Sequence, residues 1–122
     1  MRKLCDDVTD HKIISKPDYM PVNIEVIGST DKINGISRII AVAHTYIQND
    51  DIMRDPEMVF IEVITEDDEY FYIPISYEQS NLGIYEISVK LDDGIKINPS
   101  LQNKHKNFAN QWMQNIKHQQ NL

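Results

Sequence analysis

Alternation of apolar and polar side chains with a period of two constrains this chain more than any other sequence feature. It is cleanest in residues 84–91, where the apolar side chains face one way and the polar ones the other. This period is typical of strands buried on one face. The apolar set there is Tyr85, Ile87, Val89 and Leu91. The same pattern predicts further strands at residues 22–28, 36–48, 59–65, 70–77 and 95–97.

Each of these predicted strands has one face that suits a core. In residues 70–77 we expect Phe71, Ile73, Ile75 and Tyr77 in the core, with Tyr70 and Tyr72 on the outer face. In residues 36–48 the more apolar face carries Ile39, Ala41, Ala43, Thr45 and Ile47. Pro74 indicates an edge strand or a bulge, because proline cannot donate to a ladder.

The period changes after residue 97 to that of a helix. Asn98 is a typical N-cap residue, and Pro99 suits the first helical position. The helix is expected to end near Gln119. Its apolar stripe is Leu101, His105, Phe108, Trp112 and Ile116. The chain therefore predicts an α+β fold, an antiparallel β-meander of about five strands packed against one C-terminal amphipathic helix.

Prolines and turn residues divide the chain. Residues 1–21 are expected to form an irregular N-terminal arm, because Pro17 and Pro21 disfavour a regular ladder, and residues 22–122 a single α+β domain. Asn34-Gly35 and Asp93-Gly94 are typical two-residue hairpin turns. Residues 49–58, which include Pro56, are expected to form a shaped loop.

The charge balance bears on the class of partner. The chain has 12 Lys and Arg against 19 Asp and Glu, a formal net charge of −7, which argues against general nucleic-acid binding. Residues 94–122 carry four lysines and no acid, so the acidic character belongs to the predicted sheet. These features favour a protein partner bound through an acidic surface.

Cysteine content and hydropathy limit the structural classes and cellular compartments that we expect for this chain. A single cysteine, Cys5, excludes an internal disulfide framework and a multi-cysteine zinc cluster. No apolar run approaches the roughly 20 residues that span a bilayer, and the first residues lack a signal-peptide core. No phosphate-binding or zinc-helix motif is present, so no cofactor is expected. We expect a cytoplasmic protein without membrane association, as a monomer or a homodimer.

Chemistry-bearing residues are densest in residues 44–60. His44, Tyr46 and Gln48 share a strand face, and acidic residues follow on the predicted loop, so both sets are expected to meet at one end of the sheet. The candidate binding residues are His44, Tyr46, Gln48, Asn49, Asp51, Asp55 and Glu57. His44 is the candidate catalytic base, and His44, Asp51 and Asp55 are the candidate metal ligands. Alternatively, the carboxylates cap turns and His44 bonds to one of them.

This segment resembles the signature of an uncharacterised family of small bacterial domains found on plasmids, phages and integrative elements. The family pattern is His-x-Tyr-x-Gln-Asn-Gly-Asp followed by Met-x-Asp-Pro-Glu-Met-x-Phe. Asp50 stands where the family has glycine. The matching residues are His44, Tyr46, Gln48, Asn49, Asp51, Met53, Asp55, Pro56, Glu57, Met58 and Phe60. The resemblance implies a mobile-element setting and no particular reaction.

Three functional hypotheses remain, of which the first is preferred. The first is a non-enzymatic protein-interaction module, whose complex weakens with salt and survives alanine at His44. The second is a small hydrolytic or metal-assisted enzyme using His44 with Asp51 and Asp55, which requires His44 to be open to solvent. The third is a small-molecule or peptide binder built on Tyr46, Tyr70 and Tyr72.

Overall fold

The computed structural model describes residues 1–5, 9–17, 19–31, 37–92 and 94–120. The helices are α1 (Arg2–Cys5) and α2 (Pro99–Gln119), with a 3₁₀ turn at Ser80–Leu82. The strands are β1 (His11–Lys16), β2 (Tyr19–Thr30), β3 (Ser37–Gln48), β4 (Asp51–Ile64), β5 (Tyr70–Gln79), β6 (Ile84–Ile87), β7 (Val89–Lys90) and β8 (Lys96–Ile97).

Strands β1 to β6 form one antiparallel sheet in chain order, and β7 pairs with β8 as a separate ribbon. The α+β meander with a C-terminal helix is confirmed, with six strands in the main sheet rather than about five. The core lies between the sheet and the buried side of α2, and α1 adds Leu4 and Cys5 to it. The other core residues are Val22, Ile24, Ile40, Val42, Met58, Phe60, Ala109, Trp112 and Ile116.

The N-terminal segment is more regular than its prolines indicate. Strand β1 pairs with β2, with Ile14 opposite Val22 and Lys16 opposite Tyr19. The register shifts between these two pairs, and Pro21 lies at that irregularity, where a missing donor costs little. Residues 11–16 therefore extend the sheet instead of forming an irregular arm. The predicted Asn34-Gly35 turn lies outside the described residues, as does Asp93.

The predicted loop at residues 49–58 is wrong, because β4 already begins at Asp51. Asn49 and Asp50 have φ values of 52° and 66°, so they form a two-residue hairpin turn with both residues in the left-handed region. Gln48 then lies opposite Asp51. The peptide bond between Asp55 and Pro56 is cis. Pro56 does not end β4, because the strand register shifts at this point. His44 lies opposite both Asp55 and Pro56, as in a β-bulge.

A second register shift explains which aromatic side chains of β5 enter the core. Pro74 lies opposite Phe60 and Ser76 opposite Val59, so Ile75 is the extra residue of a bulge. Tyr72 and Tyr77, an odd number of residues apart, consequently both pack against the core, while Phe71 is exposed. The bulge predicted from Pro74 is confirmed, and the inward assignment of Phe71 and outward assignment of Tyr72 are wrong.

The predicted helix is confirmed at both its start and its buried stripe. The Asn98 side chain accepts a hydrogen bond from the Leu101 amide at 3.1 Å. Helix α2 buries His105, Ala109, Trp112 and Ile116 against the face of β3 that carries Ile40 and Val42. This is the less apolar of the two β3 faces by residue count, but it holds the larger side chains. Among the described helices, none is long and apolar enough to cross a membrane.

The turn geometry makes a prediction for Asp50. The substitution Asp50→Gly is expected to raise the free energy of unfolding by about 0.5 kcal/mol, because glycine adopts a positive φ without the clash that a Cβ causes. Urea unfolding followed by circular dichroism measures the change.

The matched control is Asp51→Gly, which places glycine at the extended first residue of β4 and is expected to lower stability. A stability of Asp50→Gly at or below that of the unsubstituted protein contradicts the proposed strain at this turn.

Candidate functional site

His44 lies against α2 and not at an open site. Its side chain is 7% exposed, and the Trp112 Nε1–H donates to His44 Nδ1 at 3.4 Å with the rings edge to face. Nδ1 is therefore the acceptor and Nε2 carries the proton, without a partner in the described part of the chain. Burial lowers the pKa of His44, and the nearby Asp55 partly opposes this effect.

The predicted carboxylates do not join His44 in one cluster. Asp51 is exposed as the first residue of β4, and no hydrogen bond links Asp55 to the His44 imidazole. Within the described residues, no group of three or more His, Cys, Asp or Glu is arranged to hold a metal ion. The structure therefore brings Asp55 near His44 and leaves Asp51 apart.

Glu57 faces the side of the sheet away from α2. There a polar cleft of about 210 Å³ lies over Ala41 and Ala43, whose small side chains leave a depression in the central strand. Arg54 Nε donates to Glu57 Oε2 at 3.0 Å on the wall of this cleft. Burial raises the pKa of Glu57, and Arg54 acts against that rise. The predicted site residues are thus divided between the two faces of the sheet.

The remaining predicted residues surround the end of the β3–β4 hairpin. Ile47 and Ile52 lie directly opposite each other and are 74% and 66% exposed. With Tyr19 and Met20 they form what we call the hairpin-end patch. The patch borders a groove of about 620 Å³. The groove is lined by Pro17, Tyr19, Met20, Pro21, Thr45, Tyr46, Ile47 and Ile52. Gln48, Asn49, Asp50 and Asp51 continue the hairpin beyond the isoleucines.

The three tyrosines of the ligand-binder hypothesis do not share one surface. Tyr46 lies in the groove beside the hairpin-end patch, opposite Met53. Tyr72 lies opposite Glu62, nine residues further along β4, and packs against the core. At about 3.4 Å per residue, roughly 30 Å of strand separates the two positions.

A buried polar cluster that the sequence reading missed joins α2 to the β6–β7 segment. His105 Nδ1 lies 2.9 Å from Ser88 Oγ, and His105 Nε2 lies 3.1 Å from Glu86 Oε1. The strand breaks at Ser88, whose amide donates to the Ile75 carbonyl and whose carbonyl accepts from the Asn98 amide. Ser88 and Glu86 therefore face the helix, whereas Tyr85 and Ile87 are exposed.

This cluster has the residue types of a nucleophile relay but the environment of a structural contact. Ser88 and His105 are both fully buried between α2 and the β6–β7 segment, so no substrate reaches the serine hydroxyl in this structure. The hydrogen bond to His105 lowers the pKa of Glu86, with Lys104 contributing at 3.2 Å. The sequence signal for this cluster is the histidine within the otherwise apolar stripe of α2, because a buried imidazole needs hydrogen-bond partners.

A second buried cluster joins β3, β4 and β5. The Glu62 carboxylate is 2% exposed, and it accepts from Arg38 Nε at 2.7 Å, from Arg38 Nη2 at 3.0 Å and from the Tyr72 hydroxyl at 2.7 Å. Arg38 Nη2 also donates to the Cys5 carbonyl at 3.3 Å, which connects α1 to the sheet. Burial raises the pKa of the Cys5 thiol to about 11, so the thiol is protonated at neutral pH.

Comparison with known proteins identifies one family. A family model described as "Domain of unknown function (DUF6908)" matches residues 2–122. Searches of the curated proteins and of the solved structures return no match.

The buried His44 predicts a pH-dependent stability. Because its folded pKa lies below the unfolded value of about 6.5, its contribution is fully present above that pH and is lost as the pH falls. We expect His44→Asn, which keeps an acceptor for Trp112 but does not titrate, to have a shallower loss of stability below pH 6.5. Urea unfolding between pH 7.5 and pH 5 measures both slopes.

His11→Asn is the matched control, because His11 is exposed on β1. Equal slopes for His44→Asn and the unsubstituted protein contradict a buried neutral imidazole.

The Glu62 cluster predicts a large effect at Arg38. Arg38→Met removes the cationic partner of a buried carboxylate and is expected to cost about 3 kcal/mol of unfolding free energy at pH 7. The double variant Arg38→Met/Glu62→Gln is expected to recover much of this loss, because the amide carries no charge and still accepts from Tyr72. Denaturant unfolding of the three proteins tests this, and a double variant no more stable than the single one argues against a charge effect.

Proposed function

The chain belongs to this family of unknown function, and we propose that it is a non-enzymatic protein-interaction module that contacts its partner through the hairpin-end patch. The observation that carries the proposal is the pair Ile47 and Ile52, directly opposite each other and largely exposed near the tip of the β3–β4 hairpin. Two adjacent strands hold this pair, so little conformational entropy is lost when a partner covers it.

The exposed apolar side chains of the hairpin-end patch are typical of an interaction surface. Single exposed apolar residues are ordinary, but a contiguous set beside a groove is typical of interaction sites. Tyr19 and Met20 are about half exposed and extend the isoleucine pair into such a set. Tyr and Met are residue types that protein interfaces favour. The groove is lined mostly by apolar and aromatic side chains, so the partner we propose inserts apolar side chains there.

The charges around the hairpin-end patch indicate which charged residues border the contact surface of that partner. Asp50 and Asp51 are exposed next to the isoleucine pair, and the chain as a whole carries −7. Arg54 pairs with Glu57, and Lys16 lies opposite Tyr19 on β1. We therefore propose a protein partner whose apolar contact surface is bordered by Lys and Arg side chains. The resemblance of residues 44–60 to mobile-element domains is the support for a partner in the bacterial cytoplasm.

The enzyme hypothesis draws less support from the same residues. His44 is covered by Trp112 and accepts its indole hydrogen bond, and burial favours the neutral imidazole. Asp51 is exposed at the start of β4, and no hydrogen bond orients His44 through Asp55. A base needs access to the proton that it removes, and this imidazole has little.

The proposal is tested with Ile47→Asp as bait, beside the unsubstituted protein, in lysate of the organism that carries the gene. A protein retained by the unsubstituted bait at low salt is then purified, and its affinity is measured directly. We expect Ile47→Asp to weaken this affinity by about 30-fold, the scale of a central interface residue, and added salt to weaken it further.

Ile97→Asp is the matched control, because Ile97 is also exposed but lies on β8. His44→Asn is the second control and is expected to bind normally. Equal affinity of Ile47→Asp and Ile97→Asp overturns the proposal. Concentration-dependent dimerisation that Ile47→Asp abolishes also overturns it, since a second copy of the chain would then cover the patch.

A further inference from the structure

A large apolar cavity lies between β5, the β7–β8 ribbon and α2, away from the hairpin-end patch. Its volume is about 650 Å³, within the range of about 300–1,000 Å³ that is typical of small-molecule sites. Phe60, Val89 and Met113 contribute buried or half-buried apolar surface to it. Phe71, Ile95 and Ile97 are exposed at its rim, so the cavity opens to solvent between β5 and β8.

The charge at this cavity has the opposite sign to that of the chain. Among the described side chains that line it, Lys106 alone is charged at neutral pH, and it is exposed on α2. No acidic side chain in the described residues forms an ion pair with Lys106. Asn110 follows one helical turn later on the same side of α2, so an ammonium and an amide stand together at the cavity.

The polar groups deeper in the cavity are already engaged. The Tyr72 hydroxyl donates to Glu62, and burial raises the pKa of this phenol, so it remains neutral. The Glu62 charge behind it is balanced by Arg38 at 2.7 Å. The Gln102 amide donates to the Pro74 carbonyl at 2.7 Å. The interior therefore presents apolar surface, with the Lys106 ammonium at its edge. Met1 also lines the cavity, and burial lowers the pKa of its amino group.

We propose that this cavity binds an anionic amphiphile, with its apolar body between β5, β8 and α2 and its carboxylate or comparable acidic group at Lys106 and Asn110. The apolar lining supplies most of the binding energy through burial, and Lys106 selects the sign of the head group. The inference is independent of the proposed protein interface, because neither site shares a lining residue with the other.

The test compares three probes with the same chain and different head groups: octanoate, octan-1-ol and octyltrimethylammonium, titrated by calorimetry into the full chain. We expect octanoate to bind most tightly and octyltrimethylammonium most weakly. Lys106→Gln is expected to weaken octanoate binding about threefold, the scale of an exposed ion pair, and to leave octan-1-ol unchanged. Lys16→Gln, with the same charge change on β1, is expected to change neither.

Ile97→Asp tests the apolar part of the site with little risk to folding, because the side chain is 58% exposed. It is expected to weaken octanoate and octan-1-ol alike, whereas Ile47→Asp is expected to weaken neither. Circular dichroism and the unfolding midpoint establish that each variant is folded. The proposal is overturned if octanoate shows no saturable binding, if the cationic probe binds as tightly, or if Lys106→Gln and Lys16→Gln behave alike.

Discussion

The placement of α2 on the sheet is the constraint on which the rest of this structure depends. An apolar stripe alone allows a helix to slide, but polar contacts fix this one along its length. Gln102 bonds the Pro74 carbonyl, His105 bonds Ser88 and Glu86, and Trp112 bonds His44. Just beyond the helix, Gln120 bonds the Met20 carbonyl. Hydrogen bonds are directional, so together they select one helix position among those that burial alone permits.

That position decides which surfaces remain open. It covers His44, whereas Ile47, three residues further along β3, is exposed. Elsewhere, α2 and the β7–β8 ribbon leave the cavity beside β5, with Lys106 at its edge. The protein therefore offers an apolar patch bordered by carboxylates at the hairpin end and a separate apolar cavity with a cation at its edge. Partners of different chemistry fit the two sites.

The sequence predicted helix and strand boundaries well where those boundaries depend only on neighbouring residues. Asn98 and Pro99 set the start of α2 because a cap bond and a fixed φ involve only neighbouring residues. The face of the sheet on which each side chain lies was harder to predict, because one extra residue in a bulge reverses the direction of every side chain after it. The bulge in β5 turned Tyr72 inward and Phe71 outward. The Asn, Asp and Pro content of residues 49–58 indicated a loop, yet a two-residue turn sufficed.

The sequence by itself determined the antiparallel meander, the closing helix, the buried stripe on that helix and the dense segment at residues 44–60, because periodicity and capping are properties of neighbouring residues. Only the tertiary structure decided that His44 is a buried acceptor for Trp112, that Glu57 faces away from it, and that Ser88, Glu86 and His105 meet. These outcomes depend on register shifts and on where α2 lies across the strands, and contacts between residues far apart in the chain set both.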